Sequence, residues 1–512
     1  MKRLSTSAIM MTAAFLLATV PALARPSYLG PLSPSVQIVL DGPDWSFGPD
    51  VTPITTPLNH SHMVVSEGCD FNGDGFDDIL VGRRDFSSSG FTHNGRVWLF
   101  LGSASGLPST PSLTFDPPVN NTYGFFGGQV VCLGHVNNDI YDDFAIGMDN
   151  YDSAYSDEGA VFVYYGSDPP NATYDWMARG NTTYGHLGFT IDSAGDVNGD
   201  TYDDLIAGTL EIGSPYNYIG RAYVWFGGSS GLGDTGLPSN ADWSAAGTLG
   251  TQYGVTVRGI GDVDGDTYDD ILIGAHGYDG TYTDQGAVFV YHGSSGGLGA
   301  PGNIGNADWS ATGDQGSAHL GWGADGVGDL DGDGADDLAV GAYLYDNPEA
   351  DEGKVFVWYG ETGSGLGANG TPANADWSAE MDVEAPRLGY VVRSGGDVND
   401  DGYAELLATA YNFPVPDNGG TLSGAGAWFL WYGSESGLGE NGTPANADLV
   451  QYCNQAGATL GRDEAGAADV NGDGKDEIFV VAFNYDDPET NEGVVGGWWA
   501  YYQSIFLPLV MR

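Results

Sequence analysis

Basic residues are scarce in this chain: 15 lysines and arginines stand against 69 aspartates and glutamates, a formal charge of −54 over 512 residues. That balance excludes the basic footprint a nucleic-acid partner requires and works against anionic membrane surfaces. Cysteine is nearly missing, with only Cys69, Cys132 and Cys453, so disulfides are not the framework. The three read as buried thiols; a Cys69–Cys132 bridge is the alternative, because the two stand at near-equivalent places of adjacent repeats. No stretch shows the 3.6-residue apolar period of an amphipathic helix, and beyond the N-terminus no apolar run is long enough to cross a bilayer. H-E-x-x-H does not occur. G-x-S-x-G occurs at 227–231 and 293–297, and G-x-G-x-x-G at 231–236, 297–302, 365–370 and 437–442, but all lie in Gly/Ser-rich loops after third strands with no helical pattern following. Zinc-protease, hydrolase and nucleotide readings therefore gain no support.

What is abundant is glycine, at 82 residues, together with aromatics. This is an all-β composition. The length exceeds one ordinary compact core, which points to a large modular domain such as a barrel or propeller. Residues 1–24 combine Lys2 and Arg3, an apolar segment from Ala8 to Val20, and Ala22-Leu23-Ala24 as a cleavage site. That is the pattern of a secretory signal peptide, so a secreted, extracellular or cell-surface protein is expected. Residues 25–502 form the expected propeller, and 503–512 a short apolar tail too brief to span a membrane.

The organising feature is an acidic loop that runs into a strand, clearest from Asp329 to Asp337. It starts seven times, at Asp70, His135, Asp196, Asp262, Asp329, Asp397 and Asp469, spaced by 65, 61, 66, 67, 68 and 72 residues. Repetition at such a period means a repeated supersecondary unit. Within each loop, positions 1, 3, 5 and 9 offer oxygens, and the carbonyl of position 7 offers another. That donor set suits a hard cation wanting about six to eight oxygen ligands, with calcium the natural choice.

The predicted ligands are Asp70, Asn72, Asp74, Phe76 and Asp78 in the first loop, and Asn137, Asp139 and Asp143 in the second. Asp196, Asn198, Asp200, Tyr202 and Asp204 follow in the third, then Asp262, Asp264, Asp266, Tyr268 and Asp270 in the fourth. The fifth has Asp329, Asp331, Asp333, Ala335 and Asp337; the sixth Asp397, Asn399, Asp401, Tyr403 and Glu405; the seventh Asp469, Asn471, Asp473, Lys475 and Glu477. Loop two is the eroded copy, with His135 at position 1. About six or seven calcium ions are expected. EF-hand spacing fails, since position 12 falls within a strand at Val81, Ala207 and Val340.

Each unit carries four strand signals. The first opens on an aromatic-Gly or Leu-Gly pair, such as Tyr123-Gly124, Leu187-Gly188, Tyr253-Gly254, Leu320-Gly321 and Leu388-Gly389. The second follows the acidic loop, the third is apolar on both faces (Val355 to Tyr359), and the fourth centres on Asp-Trp (Asp175-Trp176, Asp242-Trp243, Asp308-Trp309, Asp376-Trp377). Units apolar on both faces cannot stand alone, and seven packed around an axis make a propeller of four-stranded blades. The seventh unit lacks a fourth strand, whereas Asp44-Trp45-Ser46 precedes the first loop unit. An N-terminal strand within 37–47 is therefore expected to complete the last blade beside 494–502 and remove the exposed edge.

These motifs resemble the FG-GAP repeats of the integrin alpha-subunit propeller and its bacterial integrin-like relatives, over about 37–502. The resemblance implies a seven-bladed propeller, calcium in the loops joining the first two strands of blades, and ligand binding on the opposite face. That face would carry the long loops between second and third strands, at 149–155, 216–218, 278–282 and 343–346, which are rich in tyrosine, with aspartate beside it in most of them. The implied function is adhesion to, or binding of, an extracellular protein or glycan by a non-catalytic monomer. The alternative is a carbohydrate-active enzyme, lyase or hydrolase, on the same scaffold. The histidine pair His60 and His62 reads as solvent-exposed.

Overall fold

The computed structural model describes residues 38–39, 43–48, 62–88, 90–211, 218–417, 420–486 and 493–498. The expected leader at 1–24, the tail at 503–512, and His60, Tyr216 and Asn217 lie outside these residues. Every regular element described is a strand, and no described helix is long and apolar enough to cross a membrane.

The strands form seven sheets of four or five members, plus a two-stranded hairpin. Blade five shows the pattern, with antiparallel strands Ala324–Gly326, Leu338–Ala342, Lys354–Trp358 and Trp377–Glu380 in sequence order. Its second strand is wholly buried, and its third is buried from Val355 onward. Both faces are covered, as its unbroken apolar run requires. The core lies between blades, where the side chains of one sheet meet those of the next.

Close blade packing depends on small residues at the meeting points. A Cβ on Gly341 would stand 2.0 Å from the Gly389 carbonyl of blade six. Blade six itself carries Thr409 at this register, and its hydroxyl donates to the Gly461 carbonyl at 2.6 Å. In blade two the expected Tyr123-Gly124 pair is displaced: Phe126-Gly127 takes that register, with Gly127 at φ 76° and Phe126 bridged to Gly95 of blade one. Two aromatic-Gly pairs lie three residues apart, and the strand Phe126–Gly134 uses the second.

Outer strands lock onto the following blade through the Asp-Trp dipeptide. The Trp176, Trp243, Trp309 and Trp377 indoles each donate to a carbonyl in the next blade, at 2.8, 3.0, 2.9 and 2.9 Å. The same rings meet Trp225, Tyr291, Trp358 and Trp431 edge to face. The aspartate of the dipeptide accepts the N–H that ends the third strand, as Asp376 does from Tyr359 at 3.1 Å.

The ring closes with the same lock. Trp45–Phe47 pairs antiparallel with Val494–Trp498 as the outer strand of blade seven. Trp45 donates to Pro108 of blade one at 3.0 Å and meets Phe100 edge to face at 5.0 Å. One part of the expected closing segment goes elsewhere: Ile38–Val39 runs parallel to Leu449–Val450 on blade six. Connections before the outer strand do this around the ring, as Gly302–Asn303 of blade four does on blade three.

On the acidic-loop side, each blade is tied to the previous one through loop position 8. Its N–H donates to the position-1 carbonyl of the preceding blade at all seven interfaces, from Asp142 to Asp70 through to Asp77 to Asp469. At six of them the position-8 carboxylate also accepts the position-1 N–H, as Asp336 does from Asp262 at 2.9 Å and Asp77 from Asp469 at 2.9 Å. Ala404 of blade six lacks that second bond.

The reading of all three cysteines as thiols is corrected. Cys69 and Cys132 form a disulfide across blades one and two, and Cys453 is a buried free thiol. Their near-equivalent repeat positions are neighbours in space because adjacent blades pack in register. Cys132→Ser should lower the melting temperature, with a chain-entropy ceiling of about 4 kcal/mol for a loop of 63 residues; thermal melts and thiol counting under denaturing conditions check this. Trp45→Ala should cost about 3–5 kcal/mol by emptying the closure interface, read from denaturant unfolding against Trp309→Ala as a non-closing equivalent.

Candidate functional site: acidic loops and axial mouth

Each intact acidic loop is wound around its first carboxylate. In loop five the Gly332 and Asp333 N–H groups donate to Asp329 Oδ1 at 2.6 and 3.2 Å, and Gly334 donates to Oδ2 at 2.9 Å. Asp70, Asp196, Asp262, Asp397 and Asp469 are wrapped in the same way. Position 7 folds back onto position 5: the Ala335 N–H donates to Asp333 at 2.9 Å, and Phe76, Tyr202, Tyr268, Tyr403 and Lys475 repeat this contact with Asp74, Asp200, Asp266, Asp401 and Asp473.

Position 9 is buried in every blade. Asp337 accepts from the Leu330 and Gly360 N–H groups, both at 2.8 Å, so it ties loop, second strand and end of third strand together. Asp78, Asp143, Asp204 and Asp270 do the same. Burial, reinforced by neighbouring loop carboxylates, pushes these five aspartates up to about 8, Glu405 to about 9 and Glu477 to about 8.

Position 3 divides the loops. Asn137, Asn198, Asn399 and Asn471 donate their amides to the position-9 carboxylate. Loops four and five have aspartate there instead, and Asp262, Asp264 and Asp266, like Asp329, Asp331 and Asp333, bring carboxylate oxygens within 4.8 Å of one another. Asp397, Asp401 and Glu405 converge similarly in loop six. Three mutually repelling carboxylates on a wrapped loop are a fit for a hard cation. Loop two offers less: the His135 imidazole replaces the first carboxylate, and its Nδ1 lies 3.0 Å from the Tyr141 carbonyl at position 7.

At the other end of the first strands lies an axial cavity of about 200 Å³ lined by all seven blades. The residue after each Leu/aromatic-Gly pair faces it: Gly128, Phe189, Val255, Trp322, Tyr390 and Arg462. Arg84, Arg258 and Arg393 join them, with Asp463 and Glu464 on the same wall. Arg258 is 3.5 Å from Asp325 and 4.0 Å from Asp192, while Arg393 pairs with Glu464. Burial raises Asp325 to about 7 against the pull of Arg393 and Arg258.

Around the rim, rings run from His276 through Trp322 (4.6 Å), Tyr390 (5.4 Å) and Tyr411 (4.8 Å). Burial pushes the His276 imidazole down to about 3, so this ring is neutral at physiological pH. His62 is half-exposed at the rim, 3.7 Å from Asp463.

The tyrosine-rich loops expected to form the binding face divide. Tyr151, Tyr278 and Tyr345 turn inward onto Phe162, Phe289 and Phe356, and so plug their own blades. Tyr155, Tyr218 and Tyr282 are exposed, and Tyr343 stands at the mouth against Tyr390 at 5.1 Å. Sequence reasoning missed the mouth residues because it followed what the repeats share. The signal was the reverse: one register position holding Gly, Phe, Val, Trp, Tyr and Arg inside an otherwise uniform motif.

The FG-GAP repeat family matches residues 67–100, 259–291 and 321–358, in blades one, four and five. Over 160 residues the chain is 36% identical to phosphatidylinositol-glycan-specific phospholipase D of Bos taurus, covering 29% of this chain and 18% of that one. It is 31% identical over 171 residues to integrin alpha-8 of Mus musculus (32% and 15% covered), and 28% identical over 241 residues to integrin alpha-5 of Xenopus laevis (45% and 21%). The chain thus spans about a fifth or less of the length of these relatives. Repeat and architecture agree: the chain is a seven-bladed β-propeller carrying FG-GAP repeats, similar to integrin alpha subunits over the matched residues.

Proposed function

We propose that this is a secreted, calcium-stabilised propeller that binds an extracellular protein or glycan at its axial mouth, without catalysis. The observation that carries the reading is the division of labour between faces. The acidic loops repeat one arrangement around one face, while the mouth opposite gathers a different side chain from nearly every blade. Uniformity suits a scaffold; a concave surface of convergent aromatic and polar groups suits recognition. The Cys69–Cys132 disulfide fits an oxidising compartment and supports export through the leader at 1–24.

Calcium is assigned to the loops as a structural ligand, held most firmly by loops four and five and least by loop two. A second reading, an enzyme acting on a carbohydrate, is favoured by one observation: arginine, tyrosine and histidine side chains meet at the mouth. The phospholipase D relative keeps hydrolysis within the same test. Release of products from a polysaccharide panel or a glycosylphosphatidylinositol substrate by the purified protein, lost in Tyr390→Phe, would replace the binding reading.

Protein and glycan arrays probed with the wild type and with Trp322→Ala are expected to show a ligand whose signal falls at least tenfold in the variant; silence on both arrays rejects the reading. Chelation should lower the melting temperature by removing a ligand that binds only the native state, and Asp329→Ala, which removes the carboxylate around which loop five is wound, should reduce bound calcium by one ion in elemental analysis. In the chelated protein the position-9 carboxylates keep protons up to about 8, far above the unfolded range near pH 4. Folding then takes up protons, so stability of the chelated protein should fall as pH rises from about 4 to about 8. Saturating calcium, which needs ionised carboxylates, should reverse that slope in melts across the same window.

A further inference from the structure

We propose that the axial mouth is a subsite for an acidic sugar, a pyranose bearing a carboxylate, and that Arg462 is the residue that receives the charge. The inference rests on the reading of the mouth as the ligand site and narrows it to one chemistry.

Arg84, Arg258, Arg393 and Arg462, four of the chain's 15 basic residues, line this single cavity. They are not equivalent. Arg258 and Arg393 belong to the inner wall, where Asp325 and Glu464 hold them. Arg84 reaches Asp149 at 3.3 Å. Arg462 differs: its guanidinium lies over the rings of Phe483 at 4.6 Å and Tyr411 at 5.6 Å, and among the described residues it donates no hydrogen bond. The rings fix the plane of the fork and leave its N–H groups for a partner, which is the geometry that accepts a carboxylate through two parallel hydrogen bonds.

The neighbouring carboxylate does not compete strongly for that fork. Asp463 accepts the Met63 N–H at 3.3 Å and faces His62 at 3.7 Å. Beyond Arg462 the rim continues through Tyr390 and Trp322, whose ring faces suit the C–H surface of a pyranose. Asp463 and Glu464 on the same wall oppose a doubly charged phosphate but accept hydroxyl donors. One negative charge with several hydroxyls on an apolar ring satisfies all of these features together. The volume of about 200 Å³ admits the end of a chain rather than its length, and the charge of −54 repels a polyanion lying along the surface.

Titration calorimetry in calcium-containing buffer with trigalacturonate, a neutral galactose trisaccharide and an acidic peptide tests this. Trigalacturonate should bind at least tenfold more tightly than either other probe. Arg462→Gln should remove at least tenfold of that affinity with an unchanged melting temperature, Arg462→Lys should recover part of it, and Trp322→Ala should weaken both sugars. Equal affinity for the neutral trisaccharide, a preference for the peptide, or uronate binding indifferent to Arg462→Gln would overturn the proposal. If the neutral sugar or peptide binds in a Trp322-dependent way, the mouth remains a ligand site and only the acidic-sugar assignment falls. If none of the three binds and the arrays are silent, both fall.

Discussion

The structure depends on a constraint imposed by its own strands: each sheet is apolar on both faces, so no blade is stable until a neighbour covers each side. Two belts meet that demand. On the acidic-loop face, position-8 amides bond to position-1 carbonyls of the preceding blade around the whole ring. At the periphery, outer-strand tryptophans donate across to the following blade and pack edge to face on its third strand. Both belts are local and repeated, which is why seven imperfect copies can carry substitutions such as Ala404 or Thr409 without losing register.

This arrangement separates the residues that hold the ring together from those that line the axial mouth. The loops, outer-strand tryptophans and close-approach glycines fix the spacing of blades and are therefore held to type. The residue after the first-strand glycine is under no such demand, because it projects into the axial cavity rather than a blade interface. Phe189, Trp322, Tyr390 and Arg462 can differ from one another at no cost to the ring. A concave site of low symmetry arises inside a nearly symmetric scaffold.

Much of this is legible in the sequence alone. The seven loop starts, the four strand signals and the orphan Asp44-Trp45-Ser46 give blade number, order and closure directly, because each follows from short-range pattern. What stayed hidden depends on which repeats touch. Asp336 looks like a spare acid in its own loop and becomes a cap only beside Asp262 of the preceding blade. Cys69 and Cys132 become partners only when two blades stand in register. The inward turn of Tyr151, Tyr278 and Tyr345 is invisible in composition, since buried and exposed tyrosines alternate in the same loops.

The placement of Ile38–Val39 on blade six and Trp45–Phe47 on blade seven has a kinetic meaning. Ile38–Val39 and Trp45–Phe47 pair with strands of blades six and seven, Leu449–Tyr452 and Val494–Trp498, that are made more than 400 residues later in the chain. Until then the growing array keeps an open edge at each end, the condition that invites pairing with another molecule. Blades six and seven are thus completed by strands synthesised before them. Assembly order, and not only the strength of any one contact, sets how long the chain is vulnerable.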